Sequence, residues 1–245
     1  IIHAAHEKKL FDLPDERKLH RQPVPALGGI GIFSGFITAF LLTATFTEGP
    51  IKFQYLLAAA LVIFFVGLKD DLLNISPFKK FLGQVLAASI ICLKGGLLIT
   101  SMDGFLGIYE LPDMAAYLLT ILTIVVIINA YNLIDGVDGL AAGLAIISSA
   151  FFAIYFGLND YMAYACLATS LIGALLAFLI FNAQPARIFM GDTGSMMLGL
   201  LHAMMVIQFI NTASVAPVFS VPAAPAVGFA IMFVPLFDTL RVFSF

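Results

Sequence analysis

Tryptophan is absent from this chain, cysteine occurs twice, histidine four times, and charged residues make up only 11% of its 245 positions. Each shortage removes a class of protein. Twelve basic and 15 acidic side chains cannot clothe a soluble domain of this length, so the apolar surface must meet something other than water. Cys92 and Cys166 stand alone inside apolar runs, which argues against a disulfide framework and against a cysteine metal cluster. Without Trp, the seven Tyr are left to form an interfacial aromatic belt. There is no repeat of fixed period, no low-complexity tract and no loop long enough for an extramembrane domain.

What is present is hydrophobicity: 61% of residues, with a mean hydropathy of +1.04. Apolar runs begin at Gly31 and continue at 53–68, 81–100, 114–132, 140–158, 161–182, 195–211 and 222–240. Runs of about 20 residues are long enough to span a bilayer as helices. The expected fold is therefore all-α, a polytopic integral membrane protein with about eight transmembrane helices. Residues 1–245 read as a single transmembrane catalytic domain. Ile1 and Ile2 resemble the tail of an earlier apolar segment and the end at Phe245 follows another, so both ends are expected to be trimmed.

Charge orients these spans. If the first loop is cytoplasmic, Lys8, Lys9, Arg17, Lys18, Arg21, Lys69, Lys79, Lys80, Arg187 and Arg241 all fall on that side. Lys52 falls opposite, and Lys94 falls within a span. The same alternation puts Asp70, Asp71, Asp135, Asp138, Asp192 and Asp238 at cytoplasmic span ends. Glu48, Asp103, Glu110, Asp113 and Asp160 lie opposite without a paired or glycine-flanked pattern.

Three polar insertions on the cytoplasmic side hold the chemistry. Asp70 and Asp71 are adjacent, at a helix end whose dipole disfavours them, so a cation or proton is expected nearby. Asn132-Leu133-Ile134-Asp135-Gly136-Val137-Asp138-Gly139 sets two carboxylates three residues apart among glycines. Asp138 alone reads equally as a helix cap, and Gly139 with Gly143 as a close-packing pair. In Arg187-Ile188-Phe189-Met190-Gly191-Asp192-Thr193-Gly194-Ser195, Asp192 and Thr193 suit capping. Gly191 and Gly194 would bare backbone N–H groups to a phosphate. Carboxylates with asparagine oxygens are hard ligands suited to Mg2+ or Mn2+, while the missing His/Cys cluster argues against zinc. His202, inside a span, reads as a packed histidine.

In order along the chain, Arg17-Lys18-Leu19-His20, Pro23-Val24-Pro25-Ala26-Leu27-Gly28-Gly29, Gly67-Leu68-Lys69-Asp70-Asp71, Lys80-Phe81 with Gln84, Asn132 to Ala141 and Phe189 to Ser195 resemble the polyprenyl-phosphate N-acetylhexosamine-1-phosphate transferases. The resemblance implies transfer of a sugar 1-phosphate, GlcNAc-1-phosphate by preference, from a UDP-sugar to undecaprenyl phosphate. UMP is released and a lipid-linked cell-envelope glycan is begun. It implies Asp192 as a Mg2+ (or Mn2+) ligand with Asn132 as a second. Asp70 and Asp71 would act near the lipid phosphate, one removing its proton, and Asp135 and Asp138 would shape the nucleotide pocket or its metal environment. Arg21, Lys80 and Arg187 are candidates for phosphate charge, each with a topological role as the alternative. The implied partners are a UDP-N-acetylhexosamine, the polyprenyl phosphate, surrounding lipid and a second copy in a homodimer, with no nucleic acid. The implied location is the bacterial cytoplasmic membrane, with the site facing the cytoplasm.

Pro-Val-Pro-xx-Gly-Gly resembles the GlcNAc branch more than the peptidoglycan-precursor branch, which uses UDP-MurNAc-pentapeptide. The family's later His-rich loop would lie beyond Phe245. Two other readings stand beside this one. A transporter would also carry membrane acids, but nearer the bilayer midplane. A CDP-alcohol transferase would need an Arg after Asp135-Gly136 that is missing.

Overall fold

The computed structural model describes residues 24–44 and 52–244, and these fold as helices, turns and one short hairpin. The helices are α1 Gly28–Ala44, α2 Phe53–Leu73, α3 Pro77–Ser89, α4 Asp113–Ile134, α5 Leu140–Leu158, α6 Met162–Asn182, α7 Gly191–Thr212, α8 Ala224–Ile231 and α9 Phe233–Ser244. Every apolar stretch of the sequence carries helix. Among the described residues α4, α5, α6 and α7 are long and apolar enough to cross a membrane, or five spans if the bent α8–α9 pair counts as one.

Two stretches depart from the continuous spans expected. The 81–100 run starts earlier, because Pro77 sits in the first turn of α3 where its missing N–H costs nothing. It also ends earlier, in a π-turn over Ile90–Gly95 closed by Gly96. Lys94 lies exposed in this last turn. The 222–240 run is bent by 67° between α8 and α9. Pro235 lacks the N–H that would bond the Ile231 carbonyl, and its ring would clash there, so the helix breaks at Met232. The loop around Gly104 and Gly107 forms a small hairpin: Ser101 pairs with Glu110, and the Met102 N–H donates to Tyr109 O at 2.8 Å.

α7 is the central post. Of its most apolar 18-residue window 94% is buried, against 44% in α4, α5 and α6, which leave the rest of their surface for lipid. α4, α2, α1 and α5 pack around it, and α6 lies outside against α5 and α1. His202 of α7 is packed as expected, with Nδ1 2.8 Å from Leu198 O and Nε2 3.2 Å from the Ser149 hydroxyl. Small residues allow α7 its neighbours. A Cβ on Gly29 would stand 2.2 Å from the Gly194 nitrogen, and one on Gly67 2.6 Å from Thr193 Cα. The close-packing role expected of Gly139 and Gly143 does not materialise: Gly143 has open space where a Cβ would be. Gly139 instead turns the chain from α4 to α5 at φ 74°.

Candidate active site

The end of α2, the start of α3, the end of α4 and the start of α7 meet at one end of the bundle. What holds them there is polar. Asp71 reaches from α2 across to α7, where its Oδ1 accepts the Asp192 N–H at 2.7 Å. Its Oδ2 accepts the Thr193 N–H at 3.0 Å and the Thr193 hydroxyl at 2.5 Å. That is a helix N-cap supplied by another helix, with a carboxylate on the positive end of the α7 dipole. The capping expected of Asp192 or Thr193 is therefore done by Asp71.

The segment before α1 clasps the same turn. Phe189 N–H donates to Pro25 O at 2.8 Å, Gly28 N–H to Phe189 O at 2.9 Å and Gly29 N–H to Met190 O at 2.8 Å. Gly191, at φ 72°, has no room for a Cβ between Ala26 O and the Asp71 carboxylate. The phosphate site expected on Gly191 and Gly194 is accordingly corrected. The N–H groups of Asp192 and Thr193 are taken by Asp71, Gly191 is pressed against Ala26 O and the Asp71 carboxylate, and Gly194 is buried against Gly29.

Lys80 forms the centre. Its Nζ lies 2.9 Å from Asp70 Oδ2, 2.8 Å from Asp192 Oδ2 and 3.2 Å from Asn132 Oδ1. Each of these side chains is itself fixed through its other polar atom. Asp70 Oδ1 accepts the Ile75 N–H at 2.8 Å, and the Asn132 amide donates to Asp192 Oδ1 and, at 2.9 Å, to Ser195 Oγ. Ser195 in turn donates to Gly191 O at 3.0 Å. Asp135 sits close by in the α4–α5 turn. Burial, then the neighbouring Asp192 and Asp71 charges, push its carboxyl well above the usual carboxylate range, against the pull of the Gly191 N–H. Such crowding of acids is relieved by added positive charge.

Beside Lys80 lies a cavity of about 280 Å3 lined by Asp70, Lys80 and Asn132 together with Ile75, Pro77 and Phe81. One helical turn further in, Gln84 and Asn129 exchange amide hydrogen bonds at 2.8 and 3.4 Å.

The remaining expected residues are less central. Asp138 Oδ2 accepts the Ala186 N–H at 3.1 Å, so it pins the α6–α7 loop. Arg187, on that exposed loop, stacks over Phe181 with its guanidinium carbon 4.9 Å from the ring centre. Arg21 lies outside the described residues. Asn182 went unread in the sequence; it accepts the Gly139 N–H and donates to Ile188 O, both at 2.9 Å, tying the two loops together. A polar residue at the end of an apolar run was the available signal. Ser195, the last residue of the 187–195 motif, orients Asn132.

A divalent ion fits these groups in chemistry. All three atoms on Lys80 Nζ are hard oxygens, two of them carboxylate, and the ammonium is a cation already held by them. No group of three His, Cys, Asp or Glu side chains forms a ready-made metal cage among the described residues. One or two carboxylates with waters and substrate phosphates is the ligation Mg2+ favours.

The bundle and its polar end define a polytopic membrane protein with a carboxylate, amide and ammonium cluster at the ends of its spans. Residues 53–210 match the sequence model described as glycosyl transferase family 4, and the chain belongs to that family. It is 36% identical, over 93% of its length and 62% of the relative's, to a probable undecaprenyl-phosphate N-acetylglucosaminyl 1-phosphate transferase of Bacillus subtilis. It is 34% identical, over 93% and 61%, to a decaprenyl-phosphate N-acetylglucosaminephosphotransferase of Mycobacterium tuberculosis. A phospho-N-acetylmuramoyl-pentapeptide-transferase of Shouchella clausii is 36% identical over 71% of the chain and 58% of its own length. The chain thus spans about three fifths of the curated relatives it matches.

Proposed function

We propose that this chain is the catalytic core of a transferase moving GlcNAc 1-phosphate from UDP-GlcNAc to a polyprenyl phosphate, undecaprenyl phosphate in a bacterial cytoplasmic membrane. The observation that carries the proposal is the meeting of Asp70, Asn132 and Asp192 on Lys80 at the ends of the spans. A membrane-anchored acceptor and a water-soluble donor can both reach such a place. The relatives' printed names support the acceptor and the sugar.

In the reaction, a phosphate oxygen of the lipid attacks the phosphorus that bears the sugar, and the bond to the UMP oxygen breaks. Two anionic substrates must approach a site already rich in acids, so charge neutralisation dominates the barrier. Mg2+ held by Asp192, Asp70 and Asn132 would supply neutralisation and orientation of the diphosphate. Lys80 adds a mobile positive charge within reach of the same phosphates. Asp71 and the 25–29 clasp keep Asp192 in place, while Asp138 and Asn182 set the two loops that flank the nucleotide side. Asp70 lines the cavity while both oxygens of Asp71 cap α7, so Asp70 is the member of the pair beside an entering lipid phosphate.

The test is UMP release by the full-length protein in detergent with undecaprenyl phosphate. Release with UDP-GlcNAc, abolished by EDTA and reduced about a hundredfold or more by Asp192→Ala, is expected. Turnover of UDP-MurNAc-pentapeptide alone would move the chain to the peptidoglycan branch. No release from any UDP-N-acetylhexosamine would end the proposal.

A further inference from the structure

The three oxygens around Lys80 Nζ come from α2, α4 and α7, and each side chain is anchored through its other polar atom: Asp70 Oδ1 by the Ile75 N–H, the Asn132 amide nitrogen on Asp192 and Ser195, and Asp192 Oδ1 by that same amide. The oxygens are therefore the fixed part of the cluster. The ammonium is the movable part, on a four-carbon stem that borders the open cavity. Charge points the same way. Asp70 and Asp192 bring two negative charges and Lys80 one positive, which leaves one negative charge uncompensated. A divalent cation neutralises both carboxylates by itself and leaves the ammonium without a role among them.

We propose that Lys80 is a tethered place-holder for the divalent cation: it occupies the Asp70–Asn132–Asp192 oxygens until the ion binds, and is then released into the cavity to meet the donor's diphosphate. The inference rests on the metal-dependent reading above and adds the exchange. Holding the oxygens with an ammonium keeps two carboxylates from repelling each other in the empty protein. It also makes ion binding and phosphate binding cooperative, because the ion that leaves the diphosphate partly unneutralised is the one that frees Lys80 to pair with it.

The experiment uses the full-length protein in detergent with Mn2+ as probe, its binding followed by the loss of the free-ion paramagnetic signal. In parallel an amine-acylating reagent is applied, and modification of Lys80 is read by peptide mass spectrometry against its exposed neighbour Lys79. Without Mn2+, Lys80 should react about tenfold more slowly than Lys79, because three charge-assisted contacts hold it. Saturation with Mn2+ should bring its rate close to that of Lys79. Lys80→Met should bind Mn2+ about tenfold more tightly, since no internal competitor remains. Mn2+ binding with the Lys80 rate unchanged or lowered overturns the exchange and leaves the metal reading standing, as does weaker binding by Lys80→Met. Absence of Mn2+ binding, or binding indifferent to Asp192→Ala, overturns both.

Discussion

Among single residues, Asp71 shows most plainly how a position in sequence and a job in structure come apart. Next to Asp70 in the chain, it looks like half of a catalytic pair. In the fold its two oxygens serve the first turn of α7, 121 and 122 residues away. Loss of an N-cap typically costs about 1–2 kcal/mol. Asp71→Ala should therefore lower the thermal stability of the detergent-solubilised protein by roughly that amount, with Asp71→Asn between it and the wild type because an amide oxygen still accepts. Asp70→Asn should leave stability nearer the wild type and remove activity. With no Trp to report unfolding, a thiol-reactive dye on the buried Cys92 provides the signal. Unchanged melting in Asp71→Ala together with complete loss of turnover would return the base role to Asp71. The acids themselves were legible in the sequence, through glycine flanks and one-sided placement. Their division of labour was not, because it depends on hydrogen bonds between residues more than 100 positions apart.

At the scale of elements, the helices were legible and their arrangement was not. Apolar runs located all of them, since a stretch of about 20 apolar residues has few other ways to satisfy its backbone in lipid. Which one is central could not be read, because helices that are apolar all round carry no stripe to mark the core side. The Pro235 break was visible as a residue, but the 67° bend needs the packing of α9 against α4. What fixes α7 in the centre is backbone proximity at Gly67 and Gly29. Gly67→Ala places a Cβ 2.6 Å from Thr193 Cα, a backbone atom that cannot swing aside. Overpacking of this kind costs about 1–3 kcal/mol, and it also moves the turn that presents Asp192. Reduced melting temperature with reduced Mn2+ affinity is the expected pair of effects. Gly143→Ala is the matched control: it enters open space within α5 and should be neutral or stabilising by about 0.5–1 kcal/mol. Equal losses in the two variants would mean that close approach at Gly67 is not what positions α7.

For the whole molecule, the decisive property is which way the polar end faces. Ten of the chain's cationic side chains were assigned to one side by counting loops. Lys52 and Lys94 lie at the ends of α2 and α3 away from the carboxylate cluster, while Lys69, Lys79, Lys80 and Arg187 accompany it. Bacterial loops rich in Lys and Arg stay in the cytoplasm, which is also where a UDP-sugar is made available. Leu106, 81% exposed in the far hairpin, and Val137, 53% exposed in the α4–α5 turn, are well separated reporters. In a Cys92→Ala, Cys166→Ala background, Leu106→Cys should react with a membrane-impermeant maleimide added to spheroplasts. Val137→Cys should react only after the membrane is opened. The reverse pattern would place Asp70, Lys80 and Asp192 on the face away from nucleotide sugars. The proposed donor could not then reach them, however well the residues are arranged.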